Sequence, residues 1–256
     1  MEITNKYALV TGGASGLGAA CVRLLLAEGA GGVAIFDYNE ETGKAISEEL
    51  GDKVLFVKTD VSDDEQVKAG VDRVIAKFAS LHIVINCAGV GTPAKVLSQK
   101  RGMMTFDSFA KVININLIGT MNVIRHTSEK MFHNEATNAD GEKGVFINTA
   151  SVAAYDGQIG QAAYSASKGG LVGLTLPIAR EFADYGMRVM TIAPGLFHTP
   201  MMDGLPEKAR EALAASTPFP KRLGRADEYA ALAKSIIENT MLSGETIRLD
   251  GAVRLA

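Results

Sequence analysis

The sequence predicts an α/β fold in which one parallel sheet is covered on both faces by helices. Short apolar runs alternate with helical patterns from one end of the chain to the other, and most runs are nearly continuous in Val, Ile, Leu and Phe. Parallel strands that are buried on both faces have this composition. Strand–helix alternation with right-handed crossovers gives a doubly wound (Rossmann) sheet. We therefore expect a single domain over 1–256.

Composition narrows the functional classes. The chain has 256 residues, of which 47% are hydrophobic and 21% charged, which is enough to bury a large core. A net charge of −3 gives no basic surface for nucleic acid or an anionic membrane. No apolar run reaches the ~20 residues that span a bilayer, and the first residues lack a signal-peptide pattern. These features predict a cytoplasmic protein with no nucleic-acid or membrane partner.

Cysteine and histidine usage predicts neither a disulfide framework nor a metal site. The chain has two cysteines, Cys21 and Cys87, both in apolar surroundings where buried packing is the ordinary role. Its four histidines show no metal-ligand spacing. We therefore expect no bound metal.

The apolar and amphipathic patterns predict seven strands and six helices. The strands occupy 7–11, 33–37, 54–58, 83–86, 145–149, 188–193 and 246–249. The helices occupy 16–28, 41–50, 63–78, 106–132, 163–185 and 227–239. The predicted strand order is 3-2-1-4-5-6-7. Three segments break the alternation, at 91–105, 134–143 and 196–220. Long loops beyond the carboxyl ends of parallel strands bind ligands, so 196–220 is predicted to be a substrate loop.

A glycine-rich turn follows the first strand and opens a helix. Residues 11–18 read Thr-Gly-Gly-Ala-Ser-Gly-Leu-Gly, a pattern in which the backbone turns tightly and approaches a pyrophosphate at the helix N-terminus. Asp37 ends the second strand, 19 residues after Gly18. Its carboxylate would accept hydrogen bonds from both ribose hydroxyls and repel a 2′-phosphate. The pattern predicts NAD rather than NADP, held by Gly12, Ser15, Gly16, Leu17, Gly18 and Asp37.

Two further turns lie at the same predicted edge. Asp60 and Val61 follow the third strand, where they would meet the adenine, although a helix-capping role for Asp60 is equally compatible. The fourth strand is followed by the small residues Asn86, Cys87, Ala88 and Gly89, past which a cofactor backbone would run closely. A simple turn explains this last group equally well on local grounds.

A tyrosine and a lysine four residues apart carry the predicted chemistry. Tyr164 and Lys168 would project from one face of a helix. A phenol with a pKa near ~10 is a weak base at neutral pH, and an adjacent ammonium favours its phenolate. Ser151 would hydrogen-bond the reacting oxygen. Such a pair also arises by chance, so its weight comes from its combination with the nucleotide site.

Together these segments resemble the short-chain dehydrogenase/reductase family over nearly the whole chain. The turn at 11–18 resembles the family's cofactor loop, and 86–89 resembles its Asn-Ala-Ala-Gly motif with Cys87 in place of an alanine. The resemblance makes Asn116, Ser151, Tyr164 and Lys168 a catalytic tetrad, in which Asn116 holds a water that links Lys168 to solvent. It assigns further cofactor contacts to Tyr164, Lys168, Pro194, Gly195, Phe197 and Thr199.

A closer likeness is to members of the family that act on 3-hydroxyacyl-CoA, carried by 160–170, 175–180, 188–197 and 244–251. It implies hydride transfer between NAD and a 3-hydroxyacyl-CoA, straight or 2-methyl-branched, in a homotetramer built on the long helices. Candidate substrate contacts are Ser151, Gln158, Gln161, Tyr164, Met201 and Leu205. In the loop at 91–105, Lys95, Lys100 and Arg101 would meet the CoA phosphates or be merely solvated. Tyr155 and His198 depart from the expected pattern near the substrate end.

Three other functions stay open. The apolar residues of the 196–220 loop would also suit a hydroxysteroid or another secondary alcohol. A 3-oxoacyl-carrier-protein reductase fits less well, because Asp37 disfavours NADPH. A scaffold that senses NAD without catalysis would be free to lose Ser151, Tyr164 or Lys168, and all three are present.

Overall fold

A computed structural model describes residues 1–203 and 206–255. Its main sheet has seven parallel strands: β1 Tyr7–Thr11, β2 Gly32–Asp37, β3 Val54–Lys58, β4 Ile83–Asn86, β7 Gly144–Thr149, β8 Met187–Pro194 and β9 Thr246–Leu249. They are ordered β3-β2-β1-β4-β7-β8-β9 in space. The two remaining strands, β5 Leu97–Ser98 and β6 Gly102–Met103, form a separate antiparallel hairpin. The predicted doubly wound sheet and its strand order are confirmed.

Helices cover both faces of this sheet. They are α1 Gly16–Ala27, α2 Glu40–Leu50, α3 Asp64–Phe78, α4 Phe106–Ile113, α5 Gly119–Phe132, α6 Ala162–Ala183, α7 Pro200–Asp203, α8 Glu207–Ser216 and α9 Ala226–Glu238. Side chains alternate along each strand, so Val10 of β1 packs into one hydrophobic cluster with α1 and α9, and Leu9 into another with α3 and α5. This double burial explains why the strands are continuous apolar runs.

The segment predicted as one helix over 106–132 is interrupted in the structure. A π-helical turn at Asn114–Ile118 separates α4 from α5. Within it, Asn116 is fully buried and its amide bonds Val90 and Ser167. The buried amide of Asn116 in the π turn is thereby fully hydrogen-bonded. Such π-helical turns frequently occur at functional sites. Hydrophobic periodicity does not detect a single extra residue in a turn.

The predicted loop at 196–220 contains two helices among its described residues, α7 and α8. The sequence of α8, Glu-Lys-Ala-Arg-Glu-Ala-Leu-Ala-Ala-Ser, consists largely of strong helix formers, and Pro206 precedes it at the N-cap. The prolines that suggested a loop therefore lie before and after α8 and not within it. Leu205 lies outside the described residues.

A buried ion pair ties the last turn of α9 to the sheet. Glu142, which precedes β7, accepts a hydrogen bond from Nε of Arg188 on β8 at 2.8 Å, and both side chains are buried. The Arg188 guanidinium also donates to the carbonyls of Ile236, Ile237 and Leu242 at 2.7 to 2.9 Å. Two of these carbonyls belong to the C-terminal turn of α9, where the helix dipole favours a cation. None of the described helices is long and apolar enough to cross a membrane.

Candidate active site

The carboxyl ends of the central strands open into one cleft of about 950 Å³. Parallel sheets of this kind bind ligands at that edge, where successive crossovers leave on opposite faces. Most of the predicted site residues line the cleft: Gly12, Ser15, Gly16, Leu17, Gly18, Asp37, Asp60, Val61, Cys87, Ala88, Gly89, Ser151, Gln158, Gln161, Tyr164, Lys168, Pro194, Gly195, Phe197 and Thr199. The topology therefore gathers residues that are up to 187 positions apart, from Gly12 to Thr199, around one space.

The glycine-rich turn has no room for side chains at two positions. Gly12 has a φ of +62°, and a Cβ there would lie 2.8 Å from the backbone nitrogen of Ala88. A Cβ on Gly18 would collide with the carbonyl oxygen of Gly12. Ser15, the N-cap of α1, makes no side-chain capping bond. The backbone is thus held open at a helix N-terminus, which is suited to an anionic group such as a pyrophosphate.

Asp37 is fixed at the end of β2 by its own turn. Its carboxylate accepts hydrogen bonds from the backbone N–H groups of Ala14, at 3.1 Å, and Asn39, at 3.0 Å. Cations on neighbouring elements are engaged elsewhere, since Lys58 pairs with Glu40 and Arg23 pairs with Glu49 in a bidentate contact. A carboxylate therefore faces the cleft where an adenosine ribose would lie.

Two predicted cofactor residues have structural partners of their own. The amide of Asn86 is buried and donates to Asn148 across β4 and β7 at 2.9 Å, so its side chain does not line the cleft. Asp60 accepts hydrogen bonds from the backbone and hydroxyl of Ser62. Asp60 does not cap α3, because the N-cap is Asp63, whose side chain accepts from the backbone N–H of Gln66. Asp60 lines the cleft, and its contact with a cofactor stays a prediction.

Ser151, Tyr164 and Lys168 line the same cleft at the end of β7, three strands away from β2 and Asp37 in the sheet. Ser151 caps the short 3-10 turn Val152–Ala154 with its hydroxyl oxygen. Tyr164 and Lys168 lie one turn apart on α6, and the lysine Nζ is 5.7 Å from the centroid of the tyrosine ring. The same Nζ donates to the carbonyl oxygen of Thr149 at 2.6 Å. The end of β7 thus positions both residues, because Ser151 follows the strand closely and the carbonyl of Thr149 binds Lys168.

The acidity of Tyr164 differs from the sequence-based expectation. Burial raises the pKa of Tyr164, and the hydrogen bond with Ser151 lowers it only in part. Burial also lowers the pKa of Lys168 to about 8. Removal from water thus dominates the pKa of Tyr164 in this structure, the opposing contribution comes from Ser151 rather than Lys168, and the lysine ammonium is directed to Thr149. Tyr164 is therefore protonated at neutral pH.

The depressed pKa of Lys168 predicts a pH-dependent stability. Below pH 8 the buried ammonium destabilises the fold, and between pH 8 and 10.5 the unfolded chain holds a proton that the folded chain has released. Stability should thus rise with pH over that window, by about 3 kcal/mol in total for this group. Urea denaturation of cofactor-free protein at pH 7 to 10 would measure it. Lys168→Met should remove the rise, and the exposed Lys53→Met should retain it; equal slopes in all three proteins would contradict the assignment.

Asn116 lies behind the cleft and is not part of its lining. Its Oδ1 accepts from the backbone N–H of Val90 at 2.8 Å, and its Nδ2 donates to the carbonyl of Val90 and to Ser167, both at 3.0 Å. The side chain therefore fastens the loop after β4 to α6. The water-holding role inferred for Asn116 stays a prediction.

The substrate end of the cleft is partly described. Gln158, Gln161 and Met202 line it, and the buried Oε1 of Gln161 has no hydrogen-bond partner within the described residues. The ring of Phe197 is buried against Gly224, so it belongs to the core as well as to the lining. The side chain of Met201 and the whole of Leu205 lie outside the described part of the chain.

Sequence reasoning missed several residues of the cleft. Thr149 supplies the carbonyl that holds Lys168, Val90 supplies the backbone that Asn116 holds, and Leu255 lines the cleft from the far end of the chain. The first two act through backbone atoms, which no residue type signals. Leu255 lines the site from the irregular segment that follows β9, and no local pattern places it there.

The geometry fits a dinucleotide cofactor and a proton-transfer group in one cleft. A close-approach glycine turn, a fixed carboxylate and a serine–tyrosine–lysine group define the class of nicotinamide-dependent oxidoreductases with a doubly wound sheet. Within the described residues, no group of three or more His, Cys, Asp or Glu is placed to hold a metal ion.

Comparisons with known proteins agree with this class. The family model described as short chain dehydrogenase matches residues 6–210. The chain is 51% identical to 3-hydroxyacyl-CoA dehydrogenase type-2 of Drosophila melanogaster, covering 99% of both chains, and 49% identical to the Homo sapiens protein of that name, covering 99% of this chain and 97% of the other. A crystal structure of 3-hydroxyacyl-CoA dehydrogenase type-2 from Mycobacterium avium is 40% identical, with a TM-score of 0.93 over 98% of this chain and 97% of that one. The chain belongs to the short-chain dehydrogenase family and is an oxidoreductase.

Proposed function

We propose that the chain is an NAD-dependent dehydrogenase that interconverts a 3-hydroxyacyl-CoA and the corresponding 3-oxoacyl-CoA. The observation that carries the proposal is the convergence of Ser151, Tyr164 and Lys168 in the cleft that also holds the glycine turn and Asp37. The likeness to relatives named for this activity over 99% of the chain supports the substrate class.

Tyr164 and Ser151 act on the oxygen of the substrate. When bound, the nicotinamide cofactor supplies the hydride acceptor or donor. Burial keeps the phenol of Tyr164 protonated at neutral pH, so it donates its proton to the oxygen of a 3-oxo group. The Ser151 hydroxyl holds the same oxygen by a hydrogen bond. In the reverse direction the phenolate takes the hydroxyl proton, which becomes easier as the pH rises or positive charge enters the cleft.

Lys168 and Asn116 position these groups. The Lys168 ammonium is anchored on the carbonyl of Thr149, and its charge favours an anion on the Tyr164 oxygen as the proton leaves. Asn116 fixes Val90 and thereby the wall of the cleft after β4. We also assign to Lys168 the predicted contact with the nicotinamide ribose.

NAD is the cofactor that the described residues suit. Gly12 and Gly18 allow a close backbone approach, and the carboxylate of Asp37, fixed at the end of β2, would meet the adenosine ribose. The nearby cations Lys58 and Arg23 are paired with glutamates. A carboxylate there accepts hydrogen bonds from ribose hydroxyls and repels a 2′-phosphate.

Replacement of Asp37 should alter cofactor preference. In Asp37→Ser the charge-assisted hydrogen bonds and the repulsion are both lost, so we expect the KM for NADH to rise about tenfold to a hundredfold, since such bonds contribute roughly 1.5–3 kcal/mol. Turnover with NADPH should increase. Steady-state kinetics with both cofactors would measure the change. Asp52→Ser removes the same charge at an exposed position and should leave both KM values unaltered; an unchanged NADH KM in Asp37→Ser would remove the basis for NAD.

A basic turn adjoins the substrate end. Lys100 and Arg101 are exposed at the tip of the β5–β6 hairpin, and Lys95 is exposed just before it. The segment is tied to the cleft wall by a hydrogen bond from the backbone N–H of Ala94 to the carbonyl of Gly160 at 2.8 Å. We assign these three side chains to the phosphates of CoA.

The deciding experiment compares ketone substrates that carry CoA with ketones that lack it. NADH oxidation is followed with acetoacetyl-CoA, 2-methylacetoacetyl-CoA, the N-acetylcysteamine thioester of acetoacetate and a steroid ketone. We expect rapid turnover of the CoA thioesters, and a raised KM for them alone when Lys95, Lys100 and Arg101 are all changed to alanine. Turnover of the steroid ketone alone would refute the acyl-CoA assignment while retaining the oxidoreductase class.

We further propose that the protein assembles through α5 and α6 as a homotetramer. Both helices keep apolar side chains at the surface, including Ile118 in the preceding π turn, Met121, Phe132 and Leu176. Along α6, Ala166 is exposed and the Cα atoms of Gly169 and Gly173 face open space, which permits close packing of a second helix, whereas Gly170 packs against Leu117 of the same chain. Light scattering after gel filtration measures the assembly; a monomer at micromolar concentration would refute it.

A further inference from the structure

The segment 250–255, which follows β9, packs against the cleft. A Cβ on Gly195 would lie 2.9 Å from the Cα of Asp250 and 3.2 Å from Cγ1 of Val253. Val253 is buried, and Leu255 is half-buried and lines the cleft. The segment thus touches a turn at the carboxyl edge of the sheet, and it brings an apolar side chain to the space that ligands would fill.

Arg248 on β9 joins this segment to a second wall of the cleft. Its Nε donates to the carboxylate of Asp250 at 2.7 Å, and its Nη2 donates to Asp156 at 2.6 Å and to the carbonyl of Val253 at 3.1 Å. The side chains of Arg248, Asp156 and Asp250 are 23%, 17% and 9% exposed, so water screens these charge-assisted bonds only in part. Because a guanidinium presents its donors in one rigid plane, this side chain sets the positions of all three acceptors together.

The second wall is the loop that contains Asp156. The ring of Tyr155 in this loop lies against the guanidinium of Arg248, with 5.2 Å between the ring centroid and Cζ. Gln158 in the same loop lines the substrate end of the cleft. A shift of Arg248 would therefore move the walls that carry Gln158 and Leu255.

We propose that the 250–255 segment is one wall of the acyl site, in which Leu255 determines specificity and Arg248 is a positioning residue. The proposal rests on the 3-oxoacyl-CoA function given above and extends it to the length of the acyl chain. Leu255 contacts the carbons beyond the reacting carbonyl, and burial of its remaining surface against them favours longer chains. Arg248 does not touch the substrate and acts by holding this wall against the loop that contains Asp156.

The comparison of two substrates measures this contact. Acetoacetyl-CoA ends in a methyl group beside the reacting carbonyl, whereas the chain of 3-oxodecanoyl-CoA continues far beyond it. In Leu255→Ala we expect the KM for 3-oxodecanoyl-CoA, divided by that for acetoacetyl-CoA, to rise about fivefold to twentyfold, since small hydrophobic contacts discriminate substrates by this order. The change should appear in KM and not in kcat, because the contact lies away from the reacting atoms. Leu50→Ala, which truncates a half-buried leucine outside the cleft lining, should leave the KM ratio unaltered.

Variants of the Arg248 contacts test its positioning role. Arg248→Met removes the hydrogen bonds and should raise the same KM ratio. In the double variant Arg248→Met/Leu255→Ala, the ratio should rise by clearly less than the product of the two single effects, because both act through one contact. A loss of stability alone would not alter the preference between two substrates. If Arg248→Met does not fold, Asp156→Asn keeps the shape of that side chain, weakens the same contacts and should also raise the ratio.

Failure of this inference is distinct from failure of the proposed function. If the wild-type protein turns over neither CoA thioester, the proposed function is refuted, and the KM ratio is taken between a steroid ketone and the N-acetylcysteamine thioester of acetoacetate. For either pair, a ratio in Leu255→Ala equal to that of the wild-type protein overturns the assignment of Leu255. Single effects that multiply fully in the double variant overturn the positioning role of Arg248.

Discussion

Tyr164→Phe is expected to lower kcat by about 10²- to 10⁴-fold while leaving NADH affinity within about twofold, because it removes the proton donor but almost no volume. The side chain lines the cleft beside Ser151 and Lys168, and its raised pKa keeps the proton on the phenol at neutral pH. Steady-state rates with acetoacetyl-CoA and fluorescence titration with NADH would measure the two effects. Tyr185→Phe, at a half-exposed ring packed edge-on to Phe132, is the matched control.

The pH profile tests the same assignment more finely. In the wild-type protein the rate of alcohol oxidation should rise with pH as the Tyr164 phenol loses its proton, and this rise should vanish in the residual activity of Tyr164→Phe. Ser151→Ala should lower the rate but retain the rise, since it removes a hydrogen bond to the substrate oxygen and leaves the proton carrier. Near-normal turnover in Tyr164→Phe would mean that another group transfers the proton.

Glu142→Gln should cause the largest loss of stability. The substitution keeps the shape of the side chain but leaves the Arg188 guanidinium buried without its counter-charge. Removing one partner of a buried ion pair typically costs about 3–5 kcal/mol. For a chain of this size that corresponds to a thermal midpoint lower by roughly 10 °C. Differential scanning fluorimetry and urea denaturation would measure it.

An exposed pair provides the control for Glu142. Glu49→Gln breaks the bidentate contact with Arg23, in which both side chains are about half exposed, and should change stability far less than Glu142→Gln because water screens the pair. Since Glu142 is remote from the cleft lining, the folded variant should retain its KM values at low temperature. If the thermal midpoint of Glu142→Gln falls no further than that of Glu49→Gln, the prediction is wrong. The four hydrogen bonds of Arg188 to carbonyls and carboxylate would then not depend on the charge of residue 142.

Local sequence was sufficient to predict the sheet, because strands that are buried on both faces are continuous runs of apolar residues. Each central strand has both faces against helices, so its residues are apolar without alternation, and right-handed crossovers then leave few possible strand orders. Local sequence was insufficient for the π turn at Asn114–Ile118 and for α8. The first depends on the contacts of Asn116 with Val90 and Ser167, which are 26 and 51 residues away. The second was obscured by flanking prolines.

The sequence by itself determined the fold class, the order of the strands, the glycine turn and the side chains that meet at the carboxyl edge of the sheet. These follow from burial periodicity and from residue types whose backbone or acid–base properties are intrinsic. Tertiary structure alone decided the upward shift of the Tyr164 pKa, the anchoring of Lys168 on a backbone carbonyl and the hydrogen bond between the Asn86 amide and Asn148. Each of these depends on desolvation or on a partner far along the chain, and neither is encoded in a local pattern.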